Sequence, residues 1–185
     1  MATNTPFLNL RKPDGVDLVN YLADLDDNYD KIDAGVLAVA KPRRARVSRV
    51  TAQAVGSAVS SAMVWTIVDY DTAVFWAAGQ PSRLTCAVAG TYNFSFGAQF
   101  AISAAGGQRS LFLQRTTAIG GVATIIAISH FTPNASWYCG GTVECDMNMA
   151  VGDYVECMAY HNAGAVLNLD PAYVMWATAK LVGLP

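Results

Sequence analysis

The chain reads as mainly β: an antiparallel jelly-roll β-sandwich head preceded by an N-terminal extended arm and a short α-helix that forms a trimeric coiled coil. Three observations predict this. From residue 46 onward, short runs rich in aromatic and β-branched residues are separated by turn signals such as Ala89-Gly90, Gly106-Gly107, Gly120-Gly121, Gly140-Gly141 and Gly152-Asp153, the spacing of a sandwich rather than of βαβ units. Within those runs side chains alternate, most clearly after Gly90, where Tyr92, Phe94, Phe96, Ala98 and Phe100 fall on one side and Asn93, Ser95, Gly97 and Gln99 on the other. Ahead of residue 42 the period changes to a helical one.

Taken in order, residues 1–14 are the arm. They carry Pro6 and Pro13, no regular period, and apolar Phe7, Leu8 and Leu10 without partners inside the arm, so these three are the candidate attachment residues. Residues 15–41 are the helix. Asp14 and Asp17 are N-cap candidates, and Leu18, Leu22, Leu25, Tyr29, Ile32, Val36 and Val39 follow at spacings of four and three, a heptad seam. Gly35 weakens its last turn by roughly 1 kcal/mol relative to Ala, and the same pattern also suits one amphipathic helix packed on its own domain. Residues 42–49 hold Arg43, Arg44, Arg46 and Arg49. They read as a solvated neck, the alternative being a short phosphate-binding patch. The head occupies 46–185, with strands expected at 46–52, 62–69, 73–76, 82–88, 91–101, 109–117, 121–131, 136–147, 153–161, 165–169 and 173–182.

The strand at 153–161 is unusual because both of its faces are apolar. Val155, Cys157 and Ala159 suit the core, whereas Tyr154, Glu156, Met158 and Tyr160 need a second cover, and another copy of the chain is the simplest. Charge points the same way. Charged residues make up 14% of the chain, seven of the fourteen acidic ones lie between Asp14 and Asp33, and eight of the twelve basic ones lie at or before Arg49. The head therefore has few charges to coat a monomer surface. The expected trimer interface is Tyr154, Glu156, Met158 and Tyr160 in the head together with Leu18, Leu22, Leu25, Tyr29 and Ile32 in the helix. Three Glu156 carboxylates would then converge on the axis, where an ion could sit.

Several classes are disfavoured. A net charge of −2 does not suit a nucleic-acid binder. The apolar stretch Val122 to Ile128, which includes Thr124, falls far short of the ~20 residues of a membrane helix, and the polar opening Met1-Ala-Thr-Asn-Thr-Pro6 is no signal peptide, so synthesis in the cytoplasm is expected. Cys86, Cys139, Cys145 and Cys157 form no Cys-x-x-Cys pair and read as free, buried thiols. No catalytic motif, metal site or cofactor site is expected; Asp69-Tyr70-Asp71 reads as a turn rather than a calcium site. Surface contacts are assigned to the loops 103–108, 132–136 and 162–165, with Ser103, Gln108, Asn134 and Asn162 as candidates.

Ala45-Arg46-Val47, Ser82-Arg83-Leu84-Thr85, Ala89-Gly90-Thr91-Tyr92-Asn93-Phe94, the Gln108-to-Arg115 strand and Gly152-Asp153-Tyr154-Val155 occur in an order that resembles the jelly roll of the complement globular head and tumour necrosis factor superfamily. It departs from that pattern where Cys86-Ala87 stands at the usual Val-Pro. The N-terminal Thr5-Pro6-Phe7-Leu8-Asn9-Leu10-Arg11-Lys12-Pro13-Asp14-Gly15, then Leu18-Val19-Asn20 and Asp27 to Asp33, is similar to segments that open bacteriophage tail and head fibre proteins. The two resemblances imply a homotrimeric, non-enzymatic virion protein made in the host cytoplasm. Its partners would be other virion proteins (capsid, collar or tail) and a host cell-surface glycan or protein. The alternatives are a capsid decoration or collar protein, and a non-viral surface binding module.

Overall fold

A computed structural model describes residues 3–4, 11–12, 28–32, 42–171 and 175–184. The chain forms two compact units, Met1–Pro42 and Arg43–Pro185. In the first, β1 (Thr3–Asn4) pairs antiparallel with β2 (Arg11–Lys12), a short ladder where no strand period was expected. Residues 28–32 are helical. Of the predicted seam, Tyr29 is 62% and Ile32 37% exposed. Leu18, Leu22, Leu25, Val36 and Val39, like Phe7, Leu8 and Leu10, lie outside the described residues.

The second unit is a two-layer sandwich. Its strands are β3 (Arg44–Arg49), β4 (Gln53–Val55), β5 (Ser61–Ala62), β6 (Ile67–Asp71), β7 (Arg83–Thr85), β8 (Gly90–Phe100), β9 (Arg109–Thr116), β10 (Ala123–Phe131), β11 (Cys139–Met149), β12 (Tyr154–His161), β13 (Leu167–Leu169) and β14 (Met175–Gly183). One sheet has seven strands in the order β4-β13-β8-β14-β3-β6, with β11 on the other side of β8. The second has five, β10-β9-β12-β5, with β7 also on β12. All of these strand pairs are antiparallel.

The core lies where the alternation placed it. Tyr92, Phe94, Phe96 and Phe100 point from β8 into the sandwich, each at most 1% exposed, and meet Leu111, Leu113, Val155, Cys157 and Ala159 of the facing sheet. Trp65 packs edge-on against Phe96 with centroids 6.0 Å apart, and Phe75 against Tyr92 at 5.7 Å. Such pairs add about 1 kcal/mol beyond simple burial. The Tyr92 hydroxyl, carried into this layer, donates to Val88 O at 2.7 Å.

Side chains override the strand pattern at two places, and the basic stretch expected as a solvated neck is itself strand. The expected strand 73–76 is irregular because the Asp71 carboxylate accepts from both Ala73 N (3.1 Å) and Trp76 N (3.0 Å), removing the donors a ladder needs; Val74 sits there at φ 55°. The expected strand 62–69 is split. Gln53 bridges the gap, donating to Ala62 O and accepting from Val64 N, and its own segment becomes β4. The basic stretch is strand, with Ala45 and Val47 in the core. Arg46 pairs with Asp69, Arg44 lies over the Tyr70 ring, and Arg49 donates to the carbonyls of Thr51, Ala52 and Val64. Asp69, once read as half of a turn, is thus a β6 residue that also accepts from the Ser48 hydroxyl.

Asp153 gathers the loops at one end. It is 2% exposed; its carboxylate accepts from Arg115, Ala118 N (2.9 Å) and Ala150 N (3.0 Å). Cys86 N donates to Asp153 O, and Gly152 N to Cys86 O. Burial acts to raise the Asp153 pKa, but the hydrogen bonds from Ala118 N, Arg115 and Ala150 N outweigh it and the pKa is lowered. The Cys86 thiol is pushed up to about 12, by burial first and then by the Asp153 charge. Burial, then Glu156, raises Cys157; burial also raises Cys139 and Cys145. All four are free thiols.

Two predictions follow from this chemistry. A lowered carboxylate pKa contributes stability that is complete above the unfolded value near ~4 and is lost as pH falls through the folded one. Asp153→Asn should therefore cost roughly 3 kcal/mol at neutral pH and remove most of the acid limb from a plot of thermal midpoint against pH; equal midpoints for parent and variant at pH 7 would contradict the assignment. Iodoacetamide should leave Cys86 and Cys157 unmodified in the folded protein near pH 8, because the thiolate is the reacting form. After denaturation all four thiols should alkylate, and two or fewer would mean disulfide pairing.

Candidate functional site

Pairing register divides the sandwich into two ends and two outer faces. Arg109 stands opposite Phe131 and His161, and Phe100 opposite Cys139 and Leu169. The loops 101–108, 132–138 and 162–166 therefore leave from one end. The chain enters at the other, where Arg44 is level with Lys180 and Asn93. The loop-contact candidates all fall at the distal end, and two of them touch: Gln108 N donates to Asn162 Oδ1. Gly107, at φ 93°, permits this, since a Cβ there would lie 2.3 Å from the same oxygen. Ser103 Oγ and Asn134 Oδ1 instead cap their own turns, accepting from Ala105 N and Ser136 N. Around them Ile102, Trp137, Tyr138 and Val166 are exposed.

One arrangement here has the look of chemistry. Ser110 Oγ lies 2.8 Å from His130 Nδ1, but Ser110 is 1% exposed, so no substrate can reach its hydroxyl, and Gln108 Nε2 shares the same imidazole nitrogen at 2.7 Å. Among the described residues no group of three His, Cys, Asp or Glu side chains is placed to hold a metal ion.

The outer face of the five-stranded sheet carries the residues expected at a trimer contact. Met158, paired with Phe112 and Ala62, is only 8% exposed, and Phe112 4%. Tyr154, Glu156 and Tyr160 are half-buried. Glu156 is met within its own chain: it accepts from Ser82 Oγ at 2.6 Å and ion-pairs with Arg83, whose guanidinium lies 4.2 Å over the Tyr154 ring. The strand's own neighbours supply much of the cover that the sequence reading assigned to another copy.

The outer face of the seven-stranded sheet is arranged differently. Rows of residues run across it: Asp146, Asn93, Lys180 and Arg44; then Glu144, Ser95, Thr178, Arg46 and Tyr70; then Thr142, Gly97, Trp176, Ser48 and Ile67. Carboxylates stand on the β11 side, where Asn93 Nδ2 donates to both Glu144 Oε1 and Asp146 Oδ1. Arg44, Arg46 and Lys180 stand on the β14–β3 side, Arg46 lying over the Trp176 ring and paired with Asp69 of β6. Between them β8 presents only small or amide side chains. At the distal end Trp176, Gly97, Gln99, Gly140 and Thr142 wall a pocket of about 200 Å³. Trp176 and Ile67 were not singled out from sequence, and Tyr70 only as part of the Asp69-Tyr70-Asp71 stretch. Alternation of Trp176, Thr178 and Lys180 against Met175, Ala177 and Ala179 was visible, but not which rows they would join.

The edge between these faces is also open. Among the described residues β10 pairs only with β9; it carries no Asp, Glu, Lys, Arg or Pro, and exposes Ile125 and Ile128. Edge strands are usually protected by such residues.

No family model matches the sequence, and no curated protein matches it. Solved structures do match. Murine APRIL superposes with a TM-score of 0.58 at 13% identity, covering 76% of this chain and 100% of that one. The globular domain of the zebrafish complement 1qA protein gives 0.52 at 16%, covering 76% and 97%. The Eiger TNF of S. frugiperda gives 0.57 at 12%, covering 78% and 95%. At these identities the likeness is one of fold: Arg43–Pro185 is a jelly-roll sandwich of the kind seen in tumour necrosis factor and complement globular domains.

Proposed function

We propose that the chain is a homotrimeric, non-enzymatic binding protein of a bacteriophage virion, a head or tail fibre or spike whose jelly-roll head meets the host surface and whose N-terminal arm docks on other virion proteins. The observation that carries the trimer is the charge layout of the seven-stranded face. A cyclic assembly joins two different parts of each copy, and this face has acidic residues at its β11 side and basic ones at its β14–β3 side. The charge-free β10 edge of one copy, next to β11, then covers the Trp176–Tyr70–Ile67 side of the next. Three heads on one stalk turn weak contacts at the distal loops into firm attachment. The virion part of the reading rests on the likeness of residues 5–33 to the openings of phage fibre proteins.

Sedimentation of the purified chain should give three times the monomer mass, and a clean monomer at micromolar concentration would end this reading. Face choice is tested by two substitutions. Trp176→Asp should dissociate the head of a chain lacking residues 1–41 while leaving it β-rich, because it charges a surface that must be dehydrated. Tyr160→Asp should leave the trimer intact. The reverse outcome would put the contact on Tyr154, Glu156, Met158 and Tyr160 of the other sheet.

Deletion of residues 1–41 should itself leave a soluble trimeric head that no longer enters particles. The seam from Leu18 to Val39 spans about three heptads, marginal for a helix alone, so its contribution should be small beside that of three sandwich contacts. If the truncated head still enters particles, docking lies on the head and the decoration or collar reading is favoured. If it falls to monomers, the helix holds the trimer.

A further inference from the structure

Among the described residues, none fills the pocket at the distal end of the seven-stranded face. Trp176 crosses β8 at Gly97, where even a Cβ would come within 2.7 Å of the indole. Gln99, another wall, has its Nε2 buried with no hydrogen-bond partner among the described residues. A buried amide donor left unpaired costs free energy, so something from outside is expected to meet it. No charged side chain lines the pocket, which suits an uncharged, flat occupant.

A group of that kind stands at the matching height. Cys139 pairs with Phe100, so the loop 132–138 leaves β11 level with the pocket. Trp137, in that loop, is 72% exposed, more than any other aromatic ring among the described residues. Rotation about an axis running along the sandwich carries each residue to the next copy at unchanged height. The charge layout sets which parts meet: the Glu144–Asp146 side of one copy against the Arg44–Lys180 side of the next. That contact brings the loop before β11 onto the neighbour's β14, where Trp176 lies.

We infer that Trp137 of each copy inserts into the pocket formed by Trp176, Gly97 and Gln99 of the next copy, an aromatic anchor repeated three times around the trimer. This rests on the trimer proposed above. The indole fills an uncharged slot of one side chain's size, and its π face accepts the Gln99 amide N–H. Tryptophan, with tyrosine and arginine, is enriched among the residues that carry most of the binding energy at protein interfaces. The arrangement also removes from water the most exposed aromatic ring among the described residues.

The test uses the full chain labelled with 5-fluorotryptophan. Its four tryptophans give four fluorine resonances, assigned by single Trp→Phe substitutions. Sedimentation on the same sample reports the oligomeric state. The Trp137 resonance should lack the solvent isotope shift of an exposed indole, and Thr142→Trp, which fills the pocket from an exposed wall position, should restore that shift. An exposed Trp137 resonance in a sample that sediments as a trimer would overturn the anchor and leave the trimer standing. A protected resonance unmoved by Thr142→Trp would also overturn it, since something other than the pocket then covers the ring. A monomeric sample would sink the anchor together with the trimer.

Discussion

Strand β8 has two unlike faces, and the rest of the sandwich is arranged to satisfy both. On one side Tyr92, Phe94, Phe96 and Phe100 must leave water, each burial contributing about 1.5–3 kcal/mol, and only a second sheet can cover a row of that length. β9 and β12 supply it with Leu111, Leu113, Val155, Cys157 and Ala159. On the other side Thr91, Asn93, Ser95, Gly97 and Gln99 keep the surface low. A face without bulk lets a neighbouring body approach the backbone closely, and Trp176 already does so over Gly97. The strand that holds the core together therefore also shapes the surface most open to a partner.

Polar clamps hold both ends of this scaffold. At the entry end Asp153 ties three loops to Arg115. At the distal end Arg109, 1% exposed, donates to the carbonyls of Ala105, Gly106 and Gln108. A buried guanidinium is costly unless its donors are met, and these three carbonyls fix the course of the loop before β9. His161, wholly buried against Phe100, lies 2.8 Å from Val55 O and accepts from Ala163 N. Loops pinned in this way present Gln108 and Asn162 from a fixed base.

Charge in the head is sparse but sorted. Exposed ion pairs contribute little to affinity, commonly 0–1 kcal/mol each, so Glu144, Asp146, Arg44, Arg46 and Lys180 cannot be what holds copies together. They can decide orientation, since like charges brought face to face are penalised and opposite ones are not. In the proposed trimer, strength would have to come from dehydrated apolar area: Ile125 and Ile128 on the β10 edge and Trp176, Tyr70 and Ile67 on the face. A single exposed strand edge without charge or proline is otherwise a route to uncontrolled pairing.

The sequence by itself determined the sandwich class, the inward row of β8, the core face of β12 and the loops that join the strands. Those features depend on a period of two residues and on glycine-rich turns, which are local properties of the chain. It misread 73–76 because the competing partner for that backbone is the Asp71 side chain, and it missed β4 because Gln53 acts on residues about ten positions away. It singled out three loops for surface contact but could not bring Gln108 and Asn162 together, 54 positions apart. Above all, alternation shows that a strand has two faces without saying what covers each. That β12 has Ser82 and Arg83 over its outer face, while Trp176, Tyr70 and the separated charges line up on the other sheet, was decided only by tertiary structure, because strand order and register join residues that no local pattern connects.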